Sequence, residues 1–295
     1  VPAVGAPVEC VVNVSEGRDR PLIAHLAAAG GESLLDLHSD AEHHRSVLTL
    51  GGPLDEVEAA ARAVAEAAVR SIDLTDHVGV HPRLGVVDVV PFVPLVGGSE
   101  GVSWWAARGA RDRFAAWAGS VLGVPCFRYG PERTLPDVRR LAFTTLDPDT
   151  GPHSPHPTAG ACAVGVRLPL VAYNVWIAGS TGHDGPDAVV AAARAIAASL
   201  RSPSVRSLGL AVATGAQVSC NLVDATAPPL DALYDAVAAQ AQARGCTVTR
   251  AELVGLVPEA MLRPVPRRRW SELDLSEERT IESRLAGRGG LTGRG

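Results

Sequence analysis

LDEVEAAARAVAEAAVR, residues 54–70, is the stretch on which the fold turns. Leu54, Val57, Ala61, Val64 and Ala68 fall on one face at helical spacing, while Glu58, Arg62, Glu66 and Arg70 make successive i,i+4 charge pairs on the other. Such a helix has one apolar side to bury, and its flanks say against what. Upstream lie a strand at 8–14, a helix at 20–29 and strands near 33–39 and 45–51; downstream, a loop at 73–84 leads into an apolar strand at 85–92. The order is β-α-β-β-α-β, the split-βαβ or ferredoxin-like arrangement, extended by an Ala/Trp-rich helix at about 103–119 and a strand at 124–129. The second half repeats it: a strand at 168–177, a helix opened by Pro186 and running to about 201, hairpin strands at 204–212 and 216–223, a helix at 229–244 stopped by Gly245, and a strand at 246–251. The halves share no sequence identity, so the duplication rests on order alone. Between them, 131–166 reads as the least regular part, with a short helix in PERTLPDVRR and then DPDTGPHSPHPTAGACAVG, rich in Pro, Gly, Ser and Thr. A connection this long in a compact protein is functional or disordered. The tail after about 287, GRGGLTGRG, reads as disordered.

With 295 residues, 46% of them apolar, the chain has material for about two domains and a sizeable core, filled by Val, Leu and Ala because aromatics are scarce. A net charge of −5 argues against general nucleic-acid binding while leaving room for arginine-held anions. Lysine is absent, which excludes a Walker lysine, a Schiff-base lysine and the usual pyridoxal chemistry. Cys10, Cys126, Cys162, Cys220 and Cys246 are scattered and form no C-x-x-C, so reduced, buried thiols in a cytosolic protein are expected. No run approaches the roughly 20 apolar residues of a membrane span.

The densest chemistry is in DHVGVHPRLGVVDVVPF, residues 76–92, which carries His77, His81 and Arg83 into a strand containing Asp88. A buried carboxylate there requires a partner; Asp88 is expected to pair with Arg83 or to orient His81. His81, held extended by Pro82, reads either as a general acid/base or as loop scaffolding. His77 and His81 have the spacing of a zinc pair, but Gly79 and Pro82 break the helix that such a pair needs. Asp36, His38, Asp40, His43, His44 and Arg45 cluster across a hairpin, where Arg45 suits a carboxylate. GGSEG at 97–101 spells a G-x-S-x-G elbow, with Ser99 a nucleophile or only a helix cap. Gln217, Ser219 and Asn221 share one strand face, and Asn174 sits in an apolar strand where its amide needs partners.

Several segments taken together resemble the formiminotransferase family. VECVVNVSEGR (8–18), EHHRSVLT (42–49), VHPRLGVVDVVPF (80–92), LGVPCFRY (122–129), GPHSPHPTAGACAVGVR (151–167), QVSCNL (217–222) and ELVGLVP (252–258) follow that family's motifs, in order, along nearly the whole chain. The resemblance implies an α+β protein of two ferredoxin-like (split βαβ) subdomains, over 1–166 and 167–295, with a ligand cleft between them. It implies a cytoplasmic homodimer, with no metal, nucleic acid or membrane, acting in histidine degradation and one-carbon metabolism. The formimino group of N-formimino-L-glutamate would pass to N5 of tetrahydrofolate as co-substrate. His81 takes the place of the family's catalytic acid/base. The folate-binding segment falls on Gly151, Pro152, His153, Ser154, Pro155, His156, Pro157, Thr158, Ala159 and Gly160. Candidates for contacts to substrate are Asp36, His44, Arg45, Arg83, Asp88, Asn174, Gln217, Ser219 and Asn221. The chain departs from the pattern at Val80, where the family has Glu, at His44, where it has Asn, at Leu168, where Lys is common, and in a shortened 131–150. The alternative reading is a folate-binding paralogue with a different donor or little turnover.

Overall fold

Strand β1 (Val8–Val14) pairs antiparallel on one side with β3 (Arg45–Gly52) and on the other with β4 (Val87–Pro94); β2 (Leu34–Asp40) closes the outer side of β3. This β2-β3-β1-β4 order is the split-βαβ layer expected from the sequence. The computed structural model describes residues 7–80, 82–95, 102–180, 185–224 and 227–291, and the chain divides into two compact units, 1–168 and 169–295.

In the first unit, α1 (Arg20–Ala29) starts where the Asp19 carboxylate accepts the Leu22 N–H at 3.0 Å, with Pro21 in its first turn. Helix α2 (Leu54–Ser71) lays Val57, Ala61, Val64 and Ala68 against Val8, Cys10, Val12, Leu48 and Leu50. One position differs from the simple amphipathic reading. Glu58, assigned to the outer face, is buried, because Arg113 of α3 (Val102–Trp117) crosses over it and with Arg62 grips the carboxylate at 2.5 and 2.6 Å.

The larger difference is in 131–166, expected as an irregular link. It belongs to the first unit and contains α4 (Leu135–Leu141) and β6 (Cys162–Val166). Strand β6 runs parallel to β4 on one side and to β5 (Cys126–Tyr129) on the other, completing the order β2-β3-β1-β4-β6-β5. All five β6 residues are buried, but CAVGV has no large or branched alternation to announce a strand. Its Gly165 is required by contact: a Cβ there would lie 2.1 Å from the Tyr129 ring. Helix α4 packs Val138 on Val89, Phe127, Ala161 and Ala163, on the face opposite α1, α2 and α3.

The second unit repeats the layer. Strands β7 (Val171–Gly179), β8 (Val205–Val212), β9 (Gly215–Leu222) and β10 (Cys246–Val254) pair antiparallel in the order β10-β7-β9-β8. Helices α5 (Pro186–Leu200) and α6 (Leu230–Gln242) cover the face formed by Val175, Ile177, Val218, Cys220 and Leu222. Two helices follow, α7 (Glu259–Leu262) and α8 (Ile281–Leu291); the glycine-rich tail is thus helical as far as Leu291, and 292–295 lie outside the described residues. Among the described residues no helix is long and apolar enough to cross a membrane.

Candidate active site

The exit of β1 touches the β2–β3 hairpin so closely that only glycine fits. A Cβ on Gly17 would stand 2.1 Å from the Asp40 carbonyl oxygen and 2.5 Å from the Arg45 nitrogen. The hairpin itself turns on Asp40, whose Oδ1 accepts the N–H groups of Glu42 and His43, both at 2.8 Å, while Oδ2 lies 2.8 Å from His43 Nδ1. Burial would raise the Asp40 pKa, but these bonds to the His43 ring and backbone hold it well below the usual carboxylate range. His44 then takes a left-handed backbone, φ +50°, unusual for a residue other than Gly or Asn.

That conformation sets the His44 ring under the β1 exit. Gly17 N–H donates to its Nδ1 at 3.1 Å, leaving the ring proton on Nε2, and Glu16 Oε1 is 3.5 Å from the same nitrogen. The ring stacks on His77, with centroids 4.0 Å apart and planes at 29°. His77 donates from Nε2 to the Ser15 carbonyl at 2.9 Å, and Arg83 hydrogen-bonds to its ring. Both imidazole pKa values are lowered, first by burial; the next cause is the Arg83 charge at His77 and the His77 ring at His44. Glu16 is pulled the other way from its burial: the backbone N–H groups of Asp19 and Arg18, and His44, keep its carboxyl below the ordinary value.

Ser15, His43, His44, Arg45, Arg83 and Asp88 meet around one tightly packed crevice with no free space for a water-sized sphere. Arg45 hydrogen-bonds the Asn13 side chain, and burial, reinforced by the charges of Arg139 and Arg83 and opposed by Asp88, brings its guanidinium down to about 10. Asp88 is 2% exposed and is clamped by Arg139 at 2.6 and 3.2 Å and by Leu84 N–H at 2.7 Å. Arg139 also donates to the Pro82 carbonyl at 3.1 Å. Arg139 carries no local signal, standing 51 residues from its partner on a helix within the supposed link. His43 of the hairpin cluster also lines the crevice.

His81 lies outside the described residues, as does Ser99 of the G-x-S-x-G elbow. The residues after His81 are fixed by the 151–160 loop. Val86 N–H donates to Ala159 O at 2.9 Å and Ala161 N–H to Leu84 O at 3.0 Å, and a Cβ on Gly160 (φ +68°) would strike the Leu84 oxygen at 2.4 Å. Leu74 N–H takes the Thr158 carbonyl at 2.9 Å. Inside the loop, His156 Nδ1 accepts the Thr158 and Ala159 N–H groups at 3.3 and 3.0 Å, so this imidazole shapes a turn. Gly151, Pro152, His153, Ser154, Pro155 and Pro157 are exposed, His156, Thr158 and Gly160 half-buried, and Ala159 buried. Of the remaining first-unit candidates, Asp36 sits further along β2, opposite Thr49, outside the crevice.

In the second unit, Asn174, Gln217, Ser219 and Asn221 lie on the sheet face away from α5 and α6. The Asn174 amide donates to Glu252 at 3.0 Å, as does the Trp176 indole at 3.4 Å; Arg250 covers the Trp176 ring at 3.9 Å. Glu252 heads the ELVGLVP segment, so the signal for it was in the sequence without a role attached. Ser219 is half-buried and Asn221 exposed, whereas Gln217 is fully buried. Among the described residues there is no group of three or more His, Cys, Asp or Glu placed to hold a metal ion.

Most of the chain matches known proteins in sequence. Residues 7–167 match the formiminotransferase domain, N-terminal subdomain, and residues 172–284 the formiminotransferase domain. The chain is 33% identical over 277 residues to a glutamate formimidoyltransferase of Streptococcus pyogenes serotype M1, covering 86% of this chain and 90% of that protein. It is 34% identical over 276 residues to a glutamate formimidoyltransferase of Thermoplasma acidophilum, covering 86% and 89%. Against a formimidoyltransferase-cyclodeaminase of Gallus gallus it is 33% identical over 288 residues but spans only 51% of that protein. Two subdomain matches in sequence order, on two units that each carry the split-βαβ layer, show that the chain belongs to the formiminotransferase family and is a transferase.

Proposed function

We propose that the chain is a glutamate formimidoyltransferase, passing the formimino group of N-formimino-L-glutamate to N5 of tetrahydrofolate. The observation that carries this reading is the charge balance of the crevice. Its lining holds two arginines, Arg45 and Arg83, against one carboxylate, Asp88, which also pairs with Arg139. Guanidinium groups in such a place suit the carboxylates of a glutamate donor. The names of the S. pyogenes and T. acidophilum relatives support the same activity.

In this reaction N5 of tetrahydrofolate attacks the amidine carbon with its lone pair, giving a tetrahedral adduct. The N5 proton is taken up by His81, the carbon–nitrogen bond to glutamate breaks, and His81 returns the proton to the departing nitrogen. Glutamate and 5-formiminotetrahydrofolate are the products. One imidazole serves both steps near neutral pH and contributes about 10²–10⁴-fold; holding two substrates together supplies much of the rest. The backbone bonds between 159–161 and 84–86 support a role for the 151–160 segment as a folate-binding strip.

A second reading, a folate-binding protein with another donor, is favoured by Val80, which is 45% exposed at the position where the family pattern has Glu. One assay tests both: glutamate release from formiminoglutamate, with and without tetrahydrofolate. Release that requires tetrahydrofolate is expected. Tetrahydrofolate binding without release would favour the second reading.

A further inference from the structure

A guanidinium set on a buried carboxylate is a costly way to join a helix to a strand, since an apolar pair of similar size does it without desolvating two charges. Arg139 and Asp88 make such a join between α4 and β4, with Asp88 2% exposed. The pair also does something that an apolar contact could not. Arg139 Nη1 donates to the Pro82 carbonyl at 3.1 Å, and Asp88 Oδ1 accepts the Leu84 N–H at 2.7 Å. The two charges therefore grip backbone groups on either side of one residue, Arg83.

The far end of Arg83 is held as well. Its guanidinium donates to the His77 ring, and that ring is fixed in turn by its bond to the Ser15 carbonyl. A Cβ on Gly79 would meet Arg83 Nη2 and the His43 carbonyl oxygen, both at 2.6 Å, so the guanidinium lies directly over bare backbone. The residue is nonetheless half-buried rather than enclosed. An arginine fixed at root and head, with part of its surface still open, loses little side-chain freedom on meeting an anion. That is the condition for taking a carboxylate in one orientation.

We infer that Arg139 is a positioning residue for the amino-acid donor: with Asp88 it fixes residues 82–84 so that Arg83 is preset to take a donor carboxylate. This rests on formiminoglutamate as the donor and goes further, because it gives affinity for that substrate to α4, a helix none of whose residues line the crevice.

The test is calorimetry with N-formimino-L-glutamate and with tetrahydrofolate on the full-length protein, Arg139→Lys, Arg83→Ala and the double variant. Lysine keeps a charge for Asp88 but lacks the planar fork that reaches Asp88 and Pro82 together. Arg139→Lys should weaken formiminoglutamate by about tenfold, the loss of one well-set charge-assisted hydrogen bond, and leave tetrahydrofolate unchanged. In the Arg83→Ala background the same change should weaken the donor no further, because Arg139 acts through Arg83. A merely structural Arg139 predicts a lower urea midpoint with donor affinity unchanged, and that result overturns the inference. So do losses that add in the double variant, or a loss of tetrahydrofolate as large as that of the donor. If Arg139→Lys does not fold, Asp88→Asn, which keeps an acceptor for the Leu84 N–H while loosening Arg139, carries the same expectations. Should the unmodified protein bind no formiminoglutamate, the transferase reading falls as well; should it bind and Arg139→Lys bind equally, only the role of Arg139 falls.

Discussion

The two units share a strand order, β4-β1-β3-β2 in the first and β10-β7-β9-β8 in the second, yet use it differently. The first adds β6 and β5 beyond β4 and thereby brings α4, with Arg139, and the 151–160 loop to the end of the sheet where β1 and β3 present Ser15 and Arg45. The second ends at β10, with α7 and α8 following rather than widening the sheet. In the first unit the polar residues form a charged network: Asp88 with Arg139, Asp40 with His43, His77 with Arg83. In the second the helix-free face relies on amides, an indole and one carboxylate, Glu252. The same scaffold therefore carries a dense charged cluster where strands were added to it and, where none were, a polar face on which Arg250 and Glu252 are the charges described.

Four measurements sharpen or break that contrast. The largest effect is expected at His81: His81→Ala should lower turnover by about 10²–10⁴-fold with the circular dichroism spectrum unchanged. Full activity in a folded variant would remove the chemistry from the first unit. Next comes the buried pair. Arg139→Ala takes its two guanidinium bonds from the buried Asp88 and should destabilise the protein by about 3 kcal/mol in urea unfolding, more than Asp88→Ala, because Arg139 at 21% side-chain exposure still reaches water. Equal losses would mean that Asp88 is not truly desolvated. The second unit should respond more mildly. Glu252→Gln keeps an acceptor for Asn174 and Trp176 and should cost about 1–2 kcal/mol. A loss as large as that of Arg139→Ala would erase the distinction between the units.

The smallest effect is one of pH. His44 and His77 both have folded pKa values below the ordinary 6.5, so the unfolded chain binds more protons than the folded one in the interval between. Their contribution is complete above about 6.5 and is lost as pH falls through the lowered values. Unfolding free energy should decline from pH 7 to 5 by less than about 1.4 kcal/mol per pH unit for each imidazole. The paired change His44→Asn and His77→Asn should flatten that slope; an unaltered slope would place the titration elsewhere.

Much of the first unit was legible in the chain because its signals are local. The α2 stripe and the strands read at 8–14 and 45–51 each involve residues within a turn or a strand of one another. Strand β6 was not, since Cys-Ala-Val-Gly-Val becomes a strand only when β4 and β5 flank it on both sides. Glu58 looked like an outer-face charge until Arg113 arrived from a different helix. At the site, motifs marked His44, Arg45, Arg83 and Asp88, which do share one crevice, while Asp36 carried the same kind of signal and lies outside it.

Sequence alone determined the element order, the duplicated split-βαβ layer, the family and the residue types available for chemistry, because periodicity, caps and motifs are written in near neighbours. Tertiary structure alone decided that Arg139 holds Asp88, that the 159–161 segment is bonded to 84–86, that His44 stacks on His77, and that Gln217 is buried without a partner. Each of these depends on groups tens of residues apart meeting at hydrogen-bond or stacking distance. No local propensity encodes such a meeting; the packing of helices on sheets brings it about.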